Sequence, residues 1–221
     1  MRIFFLSIFL LLSLPVQGAF LVRPSLNAFG GWWDTVYSHP FFSVKMKGRN
    51  VAYTFSTTFA YEHRFFIAGL DFHIGSQKWI YNQDATLVHD DDWVNASAKN
   101  KMWGGVFAFV VPQKKMELKM WLGYYPYNKL EFTAPFNPDD QIPLYRGKSY
   151  RIGLTFQKKK SMVSWSLDYY RHVFDERSEG GDNADLPGRN QGNSHEKLKS
   201  HAIAVSFSWP ISLFGGKRRR R

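Results

Sequence analysis

The chain contains no cysteine. In an exported protein that removes a disulfide framework, and it also removes thiolate metal sites and thiol nucleophiles. Long apolar runs are missing too. After the first few residues nothing approaches the ~18 apolar residues of a membrane helix, and charged residues, 21% of the chain, are scattered throughout. Helical membrane spans are therefore excluded. The one apolar run is N-terminal: Arg2 precedes residues 3–12, Pro15 breaks the run, and Val16, Gly18 and Ala19 are small. That pattern predicts a secretory signal peptide over residues 1–18, cleaved after Gly18 or Ala19.

What is abundant is aromatic. Phe, Trp and Tyr make up 18% of the 221 residues, high for a soluble domain and suited to a barrel with aromatic girdles at both membrane interfaces. The net charge is +11, of which Arg2 belongs to the leader and residues 217–221, KRRRR, contribute five, leaving +5 on the body. A nucleic-acid binder would cluster its cations on one folded face. Here the cations are expected in turns, loops and the tail, so no nucleic-acid partner is expected.

The stretch VAYTFSTTFAYE alternates with a period of two, the mark of a strand. Val51, Tyr53, Phe55, Thr57, Phe59 and Tyr61 form one side; Ala52, Thr54, Ser56, Thr58, Ala60 and Glu62 form the other. The same alternation runs through FFIAGLDFHIG, MWGGVFAFVV, KMELKMWLGYY, YRIGLTFQ, VSWSLDYY and AIAVSFSW. An eighth strand is expected in AFLVRPSLNAFGG, interrupted by Pro24. Connections near His63–Arg64, Gln113–Lys114 and Lys159–Lys160 are short, whereas residues 31–50, 82–100, 126–147 and 175–200 are expected to be long polar loops. Short turns alternating with long loops are the habit of outer-membrane barrels.

Eight strands enclose room for side chains only. Rows of Phe, Trp, Leu and Met cannot all fit inside, while rows of Gly, Ala, Ser and Thr with a few charges can, so the bulky set is predicted to face lipid. The expected belt includes Phe55, Phe59, Phe72, Trp103, Trp165, Tyr169, Phe207 and Trp209. With these residues in place the chain resembles the small eight-stranded outer-membrane β-barrel proteins of Gram-negative bacteria, the OmpA and OmpX type. The resemblance implies an all-β, antiparallel up-and-down barrel over residues 19–214, with periplasmic turns, extracellular loops and a basic tail over residues 215–221. It implies location in the outer membrane, contact with outer-membrane lipid and lipopolysaccharide, and a monomer. It also implies an alternating C-terminal strand ending in an aromatic. Val205, Phe207, Trp209, Ile211 and Leu213 alternate, but Phe214 is out of phase, Pro210 intervenes and GGKRRRR follows.

The sharpest chemical feature is the set of inward charges: Glu62, Asp71, His73, Glu117, Lys119, Arg151 and Asp168. Paired acids can serve acid–base catalysis; charges in a narrow lumen must also pair with one another, and the ion-pair network is the expected reading. In HDDDW, Asp90, Asp91 and Asp92 lack the glycine of a calcium loop, so a solvated loop is expected, with no metal and no cofactor. Asn95 heads a glycosylation triplet of little specificity, and residues 178–193 read as a turn-rich loop tip. A lipid-modifying barrel enzyme would need a His and Ser pair; the sequence offers His39 with Ser38, His172 with Ser164 or Ser166, and His195 with Ser194. The expected function is non-enzymatic: a barrel whose loops serve adhesion, interaction with an extracellular ligand or support of the envelope. The alternative is a narrow channel for small or hydrophobic solutes. The tail is expected near anionic headgroups or cell-wall polymer on the periplasmic side.

Register is predicted as well. A turn centred on Lys159–Lys160 sets Phe156 opposite Val163, Leu154 opposite Trp165, and Arg151 opposite Asp168.

Overall fold

The computed structural model describes residues 18–39, 42–82, 93–133, 142–159, 161–180 and 195–214. The predicted leader, the HDDDW loop up to Asp92, most of the 178–193 loop tip and the basic tail lie outside them. Among the described residues are nine antiparallel strands: β1 (Ala19–His39), β2 (Phe42–Glu62), β3 (Phe66–Asn82), β4 (Trp93–Pro112), β5 (Met116–Phe132), β6 (Ile142–Lys158), β7 (Ser164–Gly180), β8 (His195–Ser208) and β9 (Ile211–Phe214). From β1 to β8 each strand pairs with the next. β1 pairs with β2 on one side and with β8 and β9 on the other. β8 and β9 are two halves of one stave, so the sheet closes as an eight-stranded up-and-down barrel.

The seam explains how β1 accommodates Pro24. Ser25 pairs with Ser208 and Val22 with Ile211, which puts Pro24 opposite the break at Trp209–Pro210. Proline donates no backbone bond, and here the two prolines share one gap in the ladder. Trp209 N–H donates to Pro24 O at 3.0 Å and holds the edges together.

The bulky residues of the central segments point outward. All eight aromatics of the predicted belt are exposed, between 38% and 52%. Along β2 the apolar outer face covers residues 51–61, about 34 Å at ~3.4 Å per residue and about 24 Å of height at a tilt of roughly 45°. That matches the ~25 Å apolar band of an outer-membrane barrel. An outer surface of this kind is stable against hydrocarbon, not water.

The long connections are shorter than expected. Four pairs of strands climb well beyond the apolar band, and β1 and β2 run to His39 and Phe42, leaving only residues 40–41 between them. Above the band the pattern inverts. Lys47, Arg49, Lys78, Lys99 and Lys101 now face out, while Trp33, Trp79, Ala96 and Ala98 are buried inside. This part of the wall is built as a water-soluble barrel is built, with its polar face outward. A search for bulky outward rows therefore misreads it as polar loop, and the cations expected in loops sit on strand walls. Asn95, too, lies within β4 rather than in a loop.

The β6–β7 register differs from the prediction by two residues. Leu154 pairs with Leu167 and Phe156 with Trp165, whose rings stack at 4.4 Å. Two central lysines would need positive φ in a two-residue hairpin. The chain instead makes a wider turn: Ser161 N–H donates to Lys158 O at 2.8 Å, and Val163 N–H to Ser161 Oγ at 3.1 Å. A step of two keeps every side chain on its face.

Candidate functional site

The interior is the place where charged and polar side chains converge, and alternation along each strand delivers them there. All seven predicted charges face the lumen. They form two groups rather than one. Nearer the short turns, Lys119 Nζ donates to Glu62 Oε1 at 3.1 Å and to Gln157 Oε1 at 3.2 Å, with Glu117 Oε2 at 3.8 Å.

The second group centres on Asp71. Its Oδ1 accepts from Thr58 Oγ1 at 2.9 Å. Its Oδ2 is bonded by His73 Nε2 at 2.8 Å, Tyr125 OH at 2.7 Å and an Arg151 terminal nitrogen at 3.2 Å. Arg151 Nε donates to Asp168 Oδ1 at 2.9 Å. Arg151 thus bridges two carboxylates, all three side chains being almost fully buried. Removing ions from water is costly unless geometry and further bonds compensate, and this cluster supplies both.

Arg23 was missed by sequence reasoning, although Leu21, Arg23, Ser25 and Asn27 alternate inward in β1. Its guanidinium donates to Ser208 Oγ at 2.7 Å, Ser166 Oγ at 3.0 Å and Thr155 Oγ1 at 3.1 Å. It lies 4.9 Å from the ring centroid of Trp121, with Arg151 at 5.3 Å from the same ring. Both buried cations thus lie within cation–π range of the electron-rich Trp121 ring.

Toward the loops the lumen turns neutral. Asn100 Nδ2 donates to Asn128 Oδ1 at 2.7 Å, and Asn128 Nδ2 to Ser149 Oγ at 2.6 Å. Ser149 Oγ lies 2.7 Å from His172 Nδ1. The sequence set His172 with Ser164 or Ser166; the β6–β7 register sets it directly opposite Ser149. A hydroxyl beside an imidazole is the minimum of a nucleophile–base pair. Ser149, however, is 0% exposed and His172 4%, so the pair sits enclosed in the wall as part of a buried polar brace.

Above this brace a row of rings packs inside the lumen. Trp33, Trp79, Phe132, Tyr145 and Phe174 follow one another with centroids 5.3, 5.8, 5.9 and 6.3 Å apart. Leu130 and Leu198 fill the remaining space in the same buried cluster. None of these residues was predicted to point inward, because they lie where the pattern inverts. Outside the wall, a shallow open groove of about 280 Å³ lies beside Pro126, where β5 carries an extra residue relative to β6. Among the described residues no group of three His, Cys, Asp or Glu side chains is arranged to hold a metal ion.

The fold has a solved counterpart. The outer membrane protein OprG from Pseudomonas aeruginosa superposes on 90% of this chain and 98% of its own, with TM-score 0.53 at 12% identity. The chain has the fold of a small outer-membrane barrel. Neisserial surface protein A aligns over 83% of this chain and 96% of its own, at TM-score 0.40 and 8% identity. The attachment invasion locus protein Ail of Yersinia pestis aligns over 85% and 99%, at TM-score 0.34 and 11% identity. No family model matches the chain, and no curated protein matches it by sequence.

Proposed function

We propose that the protein is a non-enzymatic, non-conducting outer-membrane barrel that holds a stiff extension above the membrane and presents its loops there as an interacting surface. The observation that carries this reading is the filling of the lumen. An ion-pair layer, in which Lys119 is buried and Glu62 and Glu117 are partly exposed, is followed from turns to loops by an Arg–Trp–Asp layer, an amide brace and an aromatic cluster made of buried side chains. A channel needs a continuous watery path, and buried charges that already satisfy one another offer permeating ions no exchange of partners. The strand extension supports the second half of the reading. At ~3.4 Å per residue and a tilt of roughly 45°, the 21 residues of β1 and of β2 rise about 48 Å, twice the apolar band.

The test is conductance of the full chain in planar bilayers. A steady unitary conductance would favour the channel reading; its absence, together with loss of binding to a surface ligand when residues 83–92 and 181–194 are deleted, is the expected outcome.

A further inference from the structure

The outer wall changes character abruptly at the upper edge of the apolar band. On β2 the last apolar outward residue is Val51 and the next is Arg49; on β4 the order is Trp103 then Lys101, on β6 Tyr150 then Lys148, and on β7 Tyr169 then Arg171. Lys78 on β3 and Lys129 on β5 stand at the same boundary, just beyond Ile74 and Tyr127. Seven of the eight staves carry such a cation, Lys199 completing the set on β8. Lys47, Lys99 and Arg146 add a second row, so ten cations face four carboxylates among the outward side chains described here, namely Asp34, Glu131, Asp175 and Glu176.

Asp34 lies opposite Lys47 and Lys199, and Glu176 opposite Arg146, but among the described residues no carboxylate lies directly opposite Arg49, Lys78, Lys101, Lys148 or Arg171. Lys101 and Lys129 are directly opposed on neighbouring strands, where like charges repel. The nearby Glu131 bonds Lys129 at 3.0 Å, and its carboxyl is held below the usual range by that bond and by the charges of Lys101 and Lys99. One carboxylate serves three lysines. Below the cations, Trp32 stacks on His201 at 5.5 Å, and Tyr169 OH lies 2.6 Å from His201 Nδ1. Amphipathic rings of this kind sit at headgroup level.

We propose that this belt binds the phosphate groups of anionic lipid in the leaflet on the loop side of the membrane, one lipid phosphate bridging cations of adjacent staves. The inference rests on the reading that the barrel spans the outer membrane. Charge complementarity selects the occupant: cations on a rigid wall, at headgroup depth, around almost the whole circumference, suit a ring of lipid phosphates rather than one soluble ligand.

The experiment uses the full chain folded into phosphatidylcholine vesicles with or without a minor fraction of bis-phosphorylated lipid A. Trypsin protection of the wall reports insertion; lipid A phosphorus retained through detergent exchange reports binding. The variant K78Q/K101Q/K129Q/K148Q/R171Q should insert as the native chain does and retain roughly tenfold less lipid A or lower still, cations near an anionic surface each contributing to attraction. A variant with the same charge change at the short turns, R64Q/K114Q/K115Q/K158Q/K159Q, should retain close to the native amount. Equal retention by the belt variant, or equal loss by the turn variant, overturns the belt. Displacement of lipid A by inorganic phosphate at matched phosphorus would also overturn it, assigning the cations to a soluble anion. Failure of the native chain to insert would instead overturn the membrane reading beneath it.

Discussion

Arg151 and Asp168 form an ion pair at 2.9 Å without facing each other across the sheet: Arg151 lies opposite Tyr170, and Asp168 opposite Gly153. The bond is diagonal, and Gly153 permits it. A Cβ at that position would collide with Asp168 Oδ1 itself.

Gly153→Ala should therefore destabilise the barrel by about 1 to 3 kcal/mol through overpacking and by displacing the carboxylate from Arg151. Gly105→Ala, whose Cβ would meet nothing within 4 Å on the outer face, should be close to neutral. Urea unfolding of both variants in the same lipid separates the two outcomes.

Removal of either charge leaves the other buried without its partner. Asp168→Ala should cost about 3 to 5 kcal/mol. Arg151→Ala should cost at least as much, since Asp71 loses a donor too. The double variant should lose clearly less than the sum, because each single change already breaks the bond. Additive losses would show that the pair contributes nothing as a pair.

The outer face supplies a third expectation. Leu154→Arg should cost about 2 to 4 kcal/mol near the membrane midplane, whereas Ser97→Arg, outward but above the band and opposite Lys78, should cost no more than about 1 kcal/mol through repulsion of opposed like charges. Thr155 on the inner face is not a neutral control. It is fully buried and bonded by Arg23 and Trp121, so an arginine there would meet both crowding and like charge.

The aromatic cluster should behave as a protein core. Phe132→Ala or Trp79→Ala should cost about 3 to 5 kcal/mol in urea unfolding and leave membrane insertion intact, as judged by protease protection.

Alternation made the membrane-embedded half legible. Phe55, Leu154 and Trp165 announce an outer face because lipid and a narrow lumen impose opposite demands on neighbouring positions. Asp71, Lys119, Arg151 and Asp168 could be placed inside for the same reason. Their grouping could not be read. It depends on register, and the β6–β7 turn is widened by Ser161, a residue with no strong turn signature. Arg23 was overlooked because Pro24 beside it argued against a central strand, and the compensating break at Pro210 is 186 positions away. The extension above the membrane was hidden by its own chemistry. Lys78 and Lys99 outward with Trp79 and Ala98 inward is an ordinary amphipathic strand, but its polar residues resemble loop when bulky outward rows are the signal sought.

Because the chain has no cysteine, a single introduced thiol can carry a unique spin label, and its collision rates with oxygen and with a water-soluble nickel complex report the surrounding medium. Labels at Phe55→Cys and Leu154→Cys should favour oxygen, the mark of hydrocarbon. A label at Ser97→Cys or Lys78→Cys should favour nickel. If the Phe55 and Leu154 labels in the folded, membrane-inserted chain proved accessible to nickel and not to oxygen, the outward placement of the apolar band would be wrong, and with it the account of this barrel.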